Sequence, residues 1–168
     1  IQLTSNSSGK IRIFCAHPEV PRGPKNLMYQ AAALLKKDFP ISNGLDIRIT
    51  KNIPVAAGLG GGSGNAATAL LGLNKLWNLG LRESQLLAYA KKIGSDVPFF
   101  LCNQSFALGT ERGDRVEPIR LKVKLWHVVV VPKLKVYSKE VFKSLKTRKN
   151  TSPGQIANLW AYLAPPLA

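Results

Sequence analysis

Pro54-Val55-Ala56-Ala57-Gly58-Leu59-Gly60-Gly61-Gly62-Ser63-Gly64-Asn65 carries five of the chain's 14 glycines within seven positions, between a strand-like run and a long apolar stretch. Glycines at this density let backbone N–H groups converge on an anion, because no Cβ blocks the approach and positive φ carries no penalty. A flexible linker is the competing reading of any glycine cluster. The next residues decide between them: Ala66, Ala69, Leu70, Leu73 and Trp77 recur at helical spacing, so a helix with a buried face leaves the loop and points the positive end of its dipole at the same anion. The Lys-[Ser/Thr] pair that closes a Walker loop is missing, which excludes ordinary P-loop chemistry.

Upstream of the loop, Leu45, Ile47 and Ile49 alternate with Asp46, Arg48 and Thr50 as in a half-buried strand. Before that, Asn26 is placed to cap a helix whose apolar stripe is Leu27, Gln30, Ala31, Leu34 and Leu35, and which Lys36, Lys37 and Pro40 end. Ile11 to Cys15 alternates like a strand, and the proline-rich stretch from Pro18 to Lys25 reads as a loop. Downstream, Leu86, Tyr89, Ala90 and Ile93 give an amphipathic helix from Arg82 to Ile93, with Gly94 as a left-handed stop. Short strands are expected around Ser105 to Leu108 and Arg115 to Leu121, and an apolar strand from Trp126 to Val131, ended by Pro132. Lys146 to Gly154 reads as a polar loop and Ile156 to Leu163 as a last short helix. The pattern is that of an α+β sandwich with helices gathered on one sheet face, its domain change falling between Leu108 and Trp126.

The 168 residues suffice for one good core or two small ones. Lys and Arg number 24 against 9 Asp and Glu, a formal charge of +15 that favours anionic partners without choosing among nucleotide, nucleic acid and phosphorylated metabolite. Twelve of the basic residues lie between Arg112 and Lys149, where a solvated face is the simplest account. Cys15 and Cys102 lack metal-like spacing and fit a reducing compartment, and His17 and His127 form no ligand cluster. No apolar run is long enough to span a membrane, and the start lacks the pattern of a signal peptide. The chain begins with Ile1 rather than Met, so the expectation is that its natural beginning lies upstream.

Two acids between the loop and Glu111 remain, Glu83 and Asp96. Glu83 opens a helix, where a carboxylate complements the dipole. Asp96 sits between Gly94 and the apolar run Val97-Pro98-Phe99-Phe100, in a turn expected to be partly buried. Its two readings stand level: an N-cap for a turn opened by Pro98, or a carboxylate that orients or deprotonates an acceptor hydroxyl beside bound phosphates.

The run Pro54 to Ala67 together with Gly94-Ser95-Asp96-Val97-Pro98-Phe99-Phe100 resembles the 4-diphosphocytidyl-2-C-methyl-D-erythritol kinase family of the GHMP kinase superfamily, from about Asn26 to about Phe142 and over the central portion only. The resemblance implies an α+β GHMP kinase fold. It places a two-layer, ribosomal-protein-like N-terminal ATP-binding domain at residues 1–120 and the start of a ferredoxin-like C-terminal domain at 121–168. It implies transfer of the ATP γ-phosphate to the 2-hydroxyl of the cytidylyl-methylerythritol intermediate of non-mevalonate isoprenoid biosynthesis. ATP and Mg²⁺ would be the cofactors and a small cytidine diphosphate compound the partner, with neither membrane nor nucleic acid expected. The compartment would be the bacterial cytoplasm or the plastid stroma. By the same resemblance Asp96 is the catalytic base, Pro54, Val55, Ala56, Ala57, Gly58, Leu59, Gly60, Gly61, Gly62, Ser63 and Gly64 wrap the triphosphate, and Asn26, Leu27 and Lys51 lie around the adenine-side pocket. Ser138 and Phe142 would hold the cytidine end, and no residue is assigned to a metal.

The sequence departs from the family in three places. The opening strand with its lysine, the partner of the base, has no counterpart here, Gly64 stands where a second serine is usual, and the chain stops at Ala168 short of the usual C-terminal half-domain. The expectation is an incomplete or inactive fragment of the kinase. The alternatives are a nucleotide-binding pseudokinase and, from another class, a basic RNA-binding module of related fold.

Overall fold

The computed structural model describes residues 1–119, 125–131 and 143. Three strands form the first sheet: β1 (Gln2–Asn6), β2 (Ile11–Cys15) and β3 (Gly44–Ile49). Their order is β1-β3-β2, with β1 antiparallel and β2 parallel to β3. A parallel neighbour needs a crossover, and helix α1 (Leu27–Asp38) provides it between β2 and β3. One face of the sheet carries Ile13, Cys15, Leu45, Ile47 and Ile49, all buried. The other face leaves Arg12, Phe14 and Arg48 exposed.

Over the buried face lie α1 and α2 (Gly61–Leu76), which pack on each other and on β2 and β1. Ala31, Ala32, Leu35, Ala66, Ala69, Leu70 and Leu73 are completely buried between them. Each large apolar side chain removed from water in this way contributes about 1.5–3 kcal/mol, so the two helices cannot leave the sheet without losing the core. The third helix, α3 (Glu83–Ile93), buries Leu86, Ala90 and Ile93 and ties itself to α1 through the Tyr89 hydroxyl, which donates to Asp38 Oδ2 at 2.7 Å. Burial, aided by that bond, pushes the Tyr89 phenol up to about 12. A short α4 (Val97–Leu101) packs on α2 and α3, and the hairpin β4 (Phe106–Thr110) and β5 (Arg115–Ile119) comes next.

Several expectations are corrected. Strand β1 is not legible in Gln-Leu-Thr-Ser-Asn, which lacks a buried alternation; its ladder to β3 holds it, with Leu3 packed against the core. In α1 the buried side chains are Met28, Ala31, Ala32 and Leu35. Leu27 and Leu34 flank that face, so the stripe is rotated from the one expected. Helix α2 begins inside the glycine run, at Gly61, because helix nucleated by the alanine-rich second turn propagates backward cheaply once formed. Gly94 is extended (φ 178°, ψ 153°) and not left-handed, since its carbonyl closes a turn onto the Val97 N–H at 3.2 Å that leads straight into α4. The stretch 125–131 is not a strand. Trp126, Val128 and Val130 are exposed there, and a strand needs a ladder partner that none of the described residues supplies. Asp96, expected in a partly buried turn, is exposed.

On the exposed sheet face Arg12 grips Asp46 with two bonds of 2.8 Å, and Asn6 Nδ2 adds a third at 2.6 Å. Chiefly through the bond from Arg12, the Asp46 carboxyl is held below its ordinary value of 3.8. A lowered carboxyl pKa contributes stability that is complete above the ordinary value and disappears as pH falls through the lower, folded value. Asp46→Asn is therefore expected to lower the melting temperature at pH 7, with the difference from the parent protein shrinking as pH falls below the ordinary carboxyl value of 3.8, in a pair of thermal melts. A constant difference across that range would refute the ion pair's role.

Candidate functional site

Gly60 starts the site. It occupies the N-cap position of α2 in the left-handed region (φ 63°, ψ 12°), where an L side chain is strained. Ala56 (φ 57°) and Gly58 (φ 70°) share that sign, so alternate residues curl the loop into a concave nest of backbone amides. The first helical bond runs from the Gly64 N–H to the Gly60 carbonyl at 2.9 Å. The N–H groups of Gly61, Gly62 and Ser63 thus have no acceptor within the helix, and no side chain caps them. Free amides at the positive end of a helix dipole are an anion site by construction.

These amides border a cavity of about 390 Å³, lined by Pro54 through Ser63, Lys51, Asn65, Asp96 and the segment Glu19–Pro21 with Lys25, Asn26 and Leu27. Its size suits a nucleotide-class ligand. Asn26 builds the wall: its Oδ1 accepts the Met28 N–H at 2.9 Å, capping α1, while its Nδ2 donates to the Pro21 carbonyl at 2.7 Å. Gln30 holds Pro24 in the same way, at 2.9 Å. Leu27 then turns toward the cavity, where a Cβ on Gly62 would lie 3.8 Å from its Cδ1. Lys51 Nζ stands beside the start of α2, 2.7 Å from where a Cβ on Gly61 would be, and adds a cation to the amide cluster.

The second motif meets the first directly. The Phe100 ring lies against the glycine turn, 2.7 Å from a Cβ placed on Gly60 and 3.4 Å from one on Gly64, with Phe99 edge-on to it at 5.2 Å. Asp96 precedes α4 yet caps nothing: its side chain accepts no backbone N–H and receives only a long bond of 3.4 Å from Ser95 Oγ. The capping account of Asp96 is thereby set aside. Its carboxylate is exposed and lines the cavity opposite no fixed partner among the described residues.

Of the residues expected to hold a nucleotide, Pro54 through Ser63, Asn26, Leu27 and Lys51 share this one cavity with Asp96, whereas Gly64 faces Phe100. Ser138 and Phe142 lie outside the described residues. Sequence reasoning missed Glu19, Val20, Pro21, Lys25 and Asn65. An asparagine inside a helix is a poor helix former, and that alone could have singled out Asn65. Among the described residues no three His, Cys, Asp or Glu side chains cluster as metal ligands, and no helix is long and apolar enough to cross a membrane. Cys15 and Cys102 are free thiols, and burial pushes the Cys102 thiol above its ordinary value. On the exposed sheet face the Arg48 guanidinium lies over the Phe14 ring, 4.7 Å from its centre.

A glycine nest at a helix start, joined to a two-layer α+β domain, points to a class: residues 26–104 match the GHMP kinases N terminal domain. The relatives are specific. The chain is 44% identical over 153 residues to the 4-diphosphocytidyl-2-C-methyl-D-erythritol kinase of a Geobacillus species and 42% identical to that of Bacillus anthracis, covering 91% of this chain and 53% of each relative. It spans about half the length of the curated relatives it matches. Among solved structures, a 4-(cytidine 5'-diphospho)-2C-methyl-D-erythritol kinase superposes with a TM-score of 0.64 at 27% identity, covering 98% of this chain and 59% of that one. Homoserine kinase from Cytophaga hutchinsonii gives 0.63 at 19% identity, over 95% and 54%, a likeness of fold.

Proposed function

We propose that this chain is the ATP-binding part of a kinase that transfers the γ-phosphate of ATP to the 2-hydroxyl of 4-diphosphocytidyl-2-C-methyl-D-erythritol, in non-mevalonate isoprenoid biosynthesis. One observation carries the chemistry: an uncommitted carboxylate, Asp96, borders the same cavity as the free amides of Gly61, Gly62 and Ser63. The relatives' printed names supply the acceptor.

In this reading the amides and Lys51 hold the phosphate tail, so the γ-phosphorus is positioned in a preorganised field of donors. Asp96 accepts the proton of the acceptor hydroxyl as its oxygen bonds to phosphorus and the bond to the bridging oxygen of the leaving ADP breaks. Mg²⁺ takes most of its oxygen ligands from substrate phosphates and water, and the Ser63 hydroxyl at the cavity wall would add one without engaging the base Asp96. Bound there, it would neutralise phosphate charge. Residues 1–120 would form the ATP-binding domain and 121–168 the start of the second domain, with Ser138 and Phe142 toward the cytidine. The bacterial cytoplasm is the compartment of choice, given bacterial relatives, and the plastid stroma the alternative.

Isothermal titration with Mg·ATP should show a single site with a Kd of about 1 μM–1 mM, the usual range for enzyme substrates. Absence of heat at millimolar ATP would sink the assignment.

A further inference from the structure

Gly61, Gly62 and Gly64 strip the first turn of α2 of side chains, and Ser63 contributes only a hydroxyl. The first longer side chain on the helix is Asn65. Residues three and four apart share a helix face, so Asn65 stands on the same face as Gly62 and Gly61, whose amides are free. Asn65 lines the cavity together with Asp96 and Lys51, and its carboxamide has no hydrogen-bond partner among the described residues. Asparagine inside a helix is also less favourable than alanine, a local cost that packing here does not explain.

Resting on the assignment of this cavity to a nucleotide, we infer that Asn65 is a phosphate-positioning residue: its NH₂ donates to an oxygen of the nucleotide's phosphate tail held over the start of α2. The serine hydroxyl absent at Gly64 would project toward Phe100, where a Cβ would already be 3.4 Å from the ring, so the helix supplies its second polar contact from the next residue. The carboxamide is neutral, and it can approach a polyphosphate beside Asp96 without adding to the repulsion there.

The test is calorimetric titration of the 168-residue chain and its Asn65→Ala and Asn65→Asp variants with Mg·ATP and with adenosine, alongside thermal melts. Loss of one hydrogen bond to a charged group should weaken ATP about tenfold in Asn65→Ala, and more in Asn65→Asp, where a carboxylate meets the phosphates. Adenosine affinity should be unchanged, and Asn65→Ala should melt no lower than the parent, since alanine is the better helix former. Equal loss for both ligands, or none for ATP, would overturn the assignment of Asn65 while leaving the site intact. Failure of the parent chain itself to bind ATP would instead remove the nucleotide site and this inference with it.

Discussion

Asp96→Asn is expected to lower the rate of phosphoryl transfer by about 10²–10⁴-fold, the usual worth of a positioned general base, while leaving the Kd for ATP within about twofold. The substitution keeps the shape and removes the charge that receives the proton. It should not disturb the fold, because Asp96 is exposed, caps no helix and accepts only a 3.4 Å bond from Ser95. Single-turnover measurement with ATP and 4-diphosphocytidyl-2-C-methyl-D-erythritol separates the chemical step from binding. Unchanged turnover would assign Asp96 to the surface and leave the cavity without a base.

A second large effect is expected at Gly60. Alanine there meets two costs at once, a left-handed backbone and a Cβ 2.7 Å from the Phe100 ring. Together they amount to about 2–4 kcal/mol of stability. The free amides of Gly61 to Ser63 depend on this N-cap, so ATP affinity should fall more than about tenfold as the charge-assisted bonds lose alignment. Gly58→Ala separates the two costs: it is also left-handed (φ 70°), yet nothing lies within 4 Å of its Cβ. It should lose only about 1–2 kcal/mol. Adding Phe100→Ala to Gly60→Ala should recover part of the difference in chemical denaturation. If Gly58→Ala and Gly60→Ala were equally destabilised, contact between the two motifs would have no energetic weight.

Much of the fold was legible because its elements carry local periodicity. The alternation of Leu45, Ile47 and Ile49 and the spacing of Ala66, Ala69, Leu70 and Leu73 all correspond to buried faces. Asn26 was legible as a cap for the same local reason, and its Oδ1 makes the expected bond to Met28. Elements whose existence depends on a distant partner were misread. Polar β1 is a strand because β3 lies beside it, and apolar 126–131 is none because no described strand does. The side on which Leu27 falls depends equally on what lies across from α1.

Sequence alone determined the kind of chemistry here: a glycine-dense turn before an apolar helix can only present backbone amides, and one acid in a short motif can only offer a carboxylate. Tertiary structure decided which of these meet. It brought Asp96, Lys51, Asn65 and the 19–27 wall around a single cavity, and it turned Gly64 away toward Phe100. Backbone amides and side-chain types are local properties of a chain, but convergence of groups this far apart in sequence is set by how helices pack on a sheet, which no local pattern encodes.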